Sequence, residues 1–163
     1  KNDCGTLSRE DFLRIPELAI NPLSERIVQS FFAESHDDRV NFLQFMKVLS
    51  HFRPIRKNRE NKLNSREEKL RFAFLMYDLD NDGLISRDEL LAILHMMVGA
   101  NIRLRNYVYF FHLFSSEEQL TSIAERTILE ADTNNDQMIS FEEFCRALER
   151  TDVEQKMSIR FLN

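Results

Sequence analysis

The sequence predicts an all-α fold built from two pairs of helix–loop–helix units, and three observations predict it. Two stretches, 78–89 and 132–143, place oxygen-bearing side chains at alternate positions and end on a glutamate. Apolar residues flank each stretch at the spacing of one helix face: Leu70, Phe74 and Tyr77 before the first, Leu90, Ile93, Leu94 and Met97 after it, and Phe144, Ala147 and Leu148 after the second. Only three Gly and three Pro stand against 14 Phe, a composition that favours helices with aromatic packing over a β-sandwich.

Asp78-Leu79-Asp80-Asn81-Asp82-Gly83-Leu84-Ile85-Ser86-Arg87-Asp88-Glu89 satisfies every fixed position of D-x-[DN]-x-[DN]-G-x5-E, the EF-hand calcium loop. Ca²⁺ is a hard cation that collects oxygen ligands, so the loop supplies oxygen at alternate positions. Asp78, Asp80 and Asp82 give carboxylates at positions one, three and five, and Leu84 gives its main-chain carbonyl at seven. Ser86 stands at nine, and Glu89 at twelve closes the shell with both oxygens. Gly83 at six suits a positive φ, where a Cβ is costly. Ile85 at eight points away from the metal. An ordinary acidic surface turn would not need a glycine at six together with an apolar residue at eight.

The second loop carries Asp132, Asn134, Asp136, Ser140 and Glu143 at ligand positions, with the Met138 carbonyl at seven. Gln137 replaces the glycine at six, at a cost of roughly 1 kcal/mol of backbone strain. It also has one coordinating carboxylate fewer. Two Ca²⁺ per chain follow, with weaker intrinsic affinity at the second loop. Ile85 and Ile139 are expected to form the short β contact that joins the two loops.

The rest of the chain repeats this plan without the metal chemistry. Residues 1–11 read as the end of a truncated hand, with Cys4 at five, Gly5 at six, Leu7 at eight and Asp11 at twelve; this loop is calcium-incompetent. Phe12 and Ile15 begin its exiting helix. Asn21-Pro22 start a helix that runs to Phe32. In the next loop, 33–44, Val40 holds position eight, but Ala33 and Gln44 replace the two end carboxylates, so this hand keeps its fold and lacks the metal. Phe45, Val48, Leu49 and Phe52 form the stripe of its exiting helix. Residues 54–69 are polar, basic and non-periodic, a solvated linker in preference to a contact for acidic lipid or an acidic partner. Ser65-Arg66-Glu67-Glu68 is a capping box at its end. The domains are therefore an N-terminal pair over 1–53, a linker over 54–69 and a C-terminal pair over 70–163.

Composition narrows the function. A net charge of −5 disfavours nucleic acid as a partner. Cys4 and Cys145 make no disulfide framework and fit a reducing compartment. No apolar run approaches a membrane span. His36, His51, His95 and His112 are scattered, and no triad or zinc spacing supports an enzyme. Phe72, Leu75, Met76, Leu91, Met96 and Val98 are apolar beyond the core stripe, a surplus that suits a groove for a partner helix.

Longer strings resemble the calcineurin B homologous proteins: 15–23, Leu63-Asn-Ser-Arg66, Tyr77-Asp-Leu-Asp80, Met96-Met-Val-Gly99 and above all Asp152-Val-Glu-Gln-Lys-Met-Ser-Ile-Arg-Phe-Leu162. The resemblance covers nearly the whole chain. It implies a calmodulin/calcineurin B-like arrangement of four EF-hands with only the last two metal-binding. It also implies a cytoplasmic subunit, peripheral at the plasma membrane, that grips a juxtamembrane helix of a Na⁺/H⁺ exchanger. Phe74, Leu94, Met97 and Phe144 would line the groove. The family's myristoyl anchor would belong to a segment ahead of Lys1. The family linker is longer and more acidic than the one here. Calcineurin B, the partner of calcineurin A, is the alternative: Met96–Gly99 and Ile139-Ser-Phe-Glu-Glu-Phe-Cys145 resemble it too. A calcium buffer without a dedicated partner is a third reading. Residues 103–115 read as an insertion between the two calcium hands. It is either a docking segment, packing around its own aromatics, or a translated short intron, the last being preferred.

Overall fold

The fold is described from a computed structural model over residues 5–33, 35, 38–53, 64–104 and 117–157. In chain order the elements are β1 (Thr6–Leu7), α1 (Arg9–Leu13), α2 (Pro16–Ala19), α3 (Ser24–Phe32), β2 (Val40–Asn41) and α4 (Phe42–Ser50). There follow α5 (Arg66–Tyr77), β3 (Leu84–Ser86), α6 (Arg87–Leu104), α7 (Glu117–Ala131), β4 (Met138–Ser140), α8 (Phe141–Ala147) and α9 (Val153–Lys156). The strands pair as β1–β2 and β3–β4, both antiparallel. The chain divides into two compact units, one of Lys1–Ala19, Ser24–Ala73 and Arg150–Asn163, the other of Ile20–Leu23 and Phe74–Glu149. Cys4, most of the linker (54–63), 105–115 of the inserted stretch and the tail beyond 157 lie outside the described residues.

The first unit holds the two degenerate hands. Phe12, Val28, Phe31, Phe32 and Val40 are its buried core, with Leu18, Ile27, Phe45, Val48 and Leu49 packed against it. The Phe12 ring lies 4.7 Å from Phe31 and 5.9 Å from Phe32. Leu7 pairs with Val40, the two eighth-position residues, as in a metal-binding pair. Gly5 sits at φ +64°, the left-handed conformation expected at position six. Hydrogen bonds stand where a metal would. Ser8 N–H and Oγ both donate to Asp11 Oδ2 at 2.9 Å. Asn41 N–H donates to Gln44 Oε1 while Gln44 N–H donates to Asn41 Oδ1, each at 2.9 Å. Both are capping boxes at the start of the exiting helix. Arg39 ties the loops together through Thr6 Oγ1 (2.6 Å) and the Thr6 carbonyl (3.0 Å).

Two helix limits differ from the sequence reading. The first exiting helix is split, because Pro16 has no N–H and α2 must begin anew there. Helix α3 begins at Ser24, since Asn21 Oδ1 accepts the Leu23 N–H (2.9 Å) and turns the chain first.

The segment after the fourth hand belongs to the first unit, whereas the sequence reading grouped it with the C-terminal pair. Val153 is buried, and Arg66 Nη1 donates to the Thr151 carbonyl (3.0 Å) and to Glu154 Oε2 (2.9 Å). Lys69 is fully enclosed. Its ammonium donates to the carbonyls of His51, Arg53 (3.0 Å) and Met157 (3.3 Å). His51 and Met157 are the C-caps of α4 and α9, so the cation faces the negative ends of two helices.

The second unit holds the two complete loops. Phe74, Ile85, Leu90, Ala124, Ile128 and Ile139 form its core, with Tyr77, Leu91, Leu94, Phe141 and Phe144 packed around them. Phe74 meets Phe141 and Phe144 edge-on at 5.6 and 5.4 Å. Two expectations change here. Phe74 is core and not groove lining; of the four groove residues named from sequence, Met97 alone counts among the exposed large hydrophobics, at 41 %. Phe72 is not spare surface either. It is buried between His51 (5.2 Å) and Phe52 (5.1 Å). Helix α5 is apolar on more than one side because Leu70 and Phe72 serve the first unit and Phe74 and Tyr77 the second.

Candidate metal centre

The first loop leaves α5 at Asp78 and enters α6 after Ser86. Asp78, Asp80 and Asp82 each bring one carboxylate oxygen within 4.8 Å of the others, and Asp78 is buried. Carboxylates this close repel one another unless a cation sits among them, so the donor set fits a hard dication. The loop's own amides aim each ligand. Gly83 N–H donates to Asp78 Oδ2 (3.1 Å), Asp82 N–H to Asp80 Oδ1 (3.1 Å) and Leu84 N–H to Asp82 Oδ1 (2.8 Å). Glu89 is drawn across the loop: its Oε1 accepts the Leu79 N–H (2.7 Å), and its Oε2 accepts the Ser86 N–H and hydroxyl (2.8 Å each). Burial pushes the Glu89 carboxyl up. The amides of Ser86, Leu79 and Asp80 and the Ser86 hydroxyl outweigh this and hold it below its ordinary value.

The second loop reproduces the pattern. Gln137 N–H donates to Asp132 Oδ2 (2.8 Å), Asp136 N–H to Asn134 Oδ1 (2.8 Å) and Met138 N–H to Asp136 Oδ1 (2.9 Å). Ser140 donates through its N–H (2.9 Å) and hydroxyl (2.8 Å) to Glu143 Oε2. Glu143 is 4 % exposed, and the amides of Ser140 and Thr133 with their hydroxyls hold its carboxyl down at about 2. Leu84 and Met138, the carbonyl donors, lie in β3 and β4, where Ile85 pairs with Ile139 as the sequence requires.

Backbone conformation separates the loops. Gly83 has φ +89°, and Gln137 is forced to φ +67°, so the strain read from sequence is present. Position four is left-handed as well: Asn81 at +62° and Asn135 at +63°. Sequence reasoning passed over these two residues, although asparagine is the side chain that best tolerates this region after glycine. It also passed over Thr133, whose hydroxyl donates to Glu143 Oε1 (2.9 Å) and accepts from Arg146 Nη1 (2.9 Å). No periodicity marks that contact. Ser86 and Ser140, placed at a ligand position, cap the exiting helices and brace the twelfth residue.

Paired helix–loop–helix units, a short antiparallel bridge between loops and a carboxylate cluster at alternate positions define an EF-hand protein, and they imply calcium binding. A family model described as an EF-hand domain pair matches residues 67–149. The chain is 44 % identical over 160 residues to the calcineurin B regulatory protein of Naegleria gruberi, across 98 % of this chain and 78 % of that protein. It is 36 % identical over 161 residues to the calcineurin B protein of Candida glabrata, across 99 % and 79 %. The chain belongs to the calcineurin B family. These relatives favour the calcineurin B alternative over the narrower resemblance to exchanger-binding proteins.

Proposed function

We propose that this chain is a non-catalytic regulatory subunit of the calcineurin B type. It would bind two Ca²⁺, through Asp78, Asp80, Asp82, Leu84, Ser86 and Glu89 and through Asp132, Asn134, Asp136, Met138, Ser140 and Glu143. Its partner would be an amphipathic helix of a calcineurin A-like phosphatase. The observation that supports a helical partner is the apolar surface left on helices. Phe42 and Leu43 on α4 are 73 % and 78 % exposed, with Met46 one turn on, and Leu75, Met96 and Met97 are about two-fifths exposed in the second unit. Helices in a water-soluble hand do not need such residues outside their cores. Calcium and the helix should stabilise one another, because each favours the ordered second unit.

A second reading is a subunit of a Na⁺/H⁺ exchanger, held at the plasma membrane through that partner. The string Asp152 to Leu162 and the two degenerate loops favour it. Calorimetric titration with a calcineurin A helix peptide and with an exchanger juxtamembrane helix peptide tests the proposal. Preference for the calcineurin A peptide is expected. Preference for the exchanger peptide would overturn the first reading in favour of the second, and binding of neither would leave a calcium buffer.

A further inference from the structure

We propose that Thr133 is a positioning residue for the second calcium loop, its hydroxyl oriented by Arg146 so that it fixes the Glu143 carboxylate. The inference rests on reading 132–143 as a calcium loop. In the first loop the residue after the first ligand is Leu79, which offers Glu89 only its N–H, at 2.7 Å. Thr133 offers Glu143 Oε1 both its N–H (2.8 Å) and its hydroxyl (2.9 Å). The direction of that hydroxyl is fixed by chemistry. A guanidinium has donors and no acceptor. Arg146 Nη1 at 2.9 Å therefore makes Thr133 Oγ1 an acceptor and leaves its single proton for Glu143. Arg146 stands three residues after Glu143 on α8, on the same helix face.

The consequence falls on the twelfth ligand. Glu143 Oε1 also receives the Asn134 N–H (3.3 Å), and Oε2 is held by Ser140 twice. Its carboxylate is thereby braced from both sides, and Glu143 is buried where Glu89 is only half-buried. A ligand that already stands in one rotamer loses less freedom when the ion arrives. Thr133 thus offsets part of what Gln137 and Asn134 cost this loop.

The test uses the full chain with Glu89→Gln, so that only the second loop titrates, and compares Thr133→Val with Thr133→Ser. Calcium calorimetry should show Thr133→Val weaker by about tenfold, the loss of one hydrogen bond to a charged group, and Thr133→Ser close to the parent. In chelator, side-chain couplings of Glu143 should report one rotamer in the parent and the Ser variant and averaging in the Val variant. A Val variant within about twofold of the parent would overturn the positioning role, as would a Ser variant as weak as Val. If the Glu89→Gln parent binds no calcium at all, the calcium reading of this loop fails and the inference with it.

Discussion

Lys69→Met should destabilise the first unit by about 3 kcal/mol. The side chain is fully enclosed, and its three donors meet three main-chain carbonyls drawn from the end of α4, residue 53 and the end of α9. Hydrogen bonds to a charged donor contribute roughly 1.5–3 kcal/mol each. Against them stands the cost of taking an ammonium out of water, several kcal/mol. Some buried ion pairs can be replaced by apolar residues without loss, because both partners go together. That route is closed here, since the carbonyls are main chain and would stay behind without their donor. Methionine restores the volume, so the loss is electrostatic and not a cavity effect. Urea unfolding in chelator, followed at His51 and Phe72 by NMR, reads this unit directly; Arg126→Met on the exposed face of α7 is the control. A Lys69→Met shift within about 0.5 kcal/mol, the range of ordinary surface changes, would refute the argument. The pH dependence has a definite sign. Burial lowers the Lys69 pKa from 10.5, with Glu154 opposing. Its burial cost is full below the lowered pKa and shrinks as pH rises from there towards 10.5. The gap between wild type and the methionine variant should change over that interval and nowhere else.

Four further outcomes are expected. Glu89→Gln should abolish the tighter calcium site and Glu143→Gln the weaker, each seen as one site lost in a calorimetric titration. Gln137→Gly should tighten the second loop about fivefold, because relieving a left-handed residue is worth roughly 1 kcal/mol; no change in affinity would show the strain to be absorbed elsewhere. In chelator, the Glu143 carboxylate contributes its stability in full above its ordinary value of 4.5 and loses it as pH falls towards about 2. Acid unfolding should therefore be steeper in wild type than in Glu143→Gln over that window. Deleting Arg103 to Ser115 should leave calcium and partner-helix binding intact and raise solubility, as measured by calorimetry and by light scattering.

The two metal loops were legible because calcium dictates residue type and spacing within twelve residues. Ile85 against Ile139 followed from the same pattern, and so did the loss of metal chemistry where Ala33 and Gln44 stand. What replaces the metal in the degenerate pair was not legible. Arg39 reaches Thr6 across a separation of 33 residues, and no local pattern announces such a contact. The capping boxes of Ser8 with Asp11 and Asn41 with Gln44 were visible in principle, as side chains three residues apart at a helix start. Phe72 was misread because α5 was assigned to one core when its length serves two. The tail was misplaced for a related reason: Val153 is one buried apolar residue, and the Lys69 and Arg66 contacts that hold its segment lie 85 to 88 residues away in sequence.

Calorimetric titration of the metal-stripped chain with Ca²⁺ bears most directly on the account. Two sites are predicted, with one remaining after Glu89→Gln and none after Glu89→Gln with Glu143→Gln. No binding, or four sites with two surviving the double substitution, would contradict it.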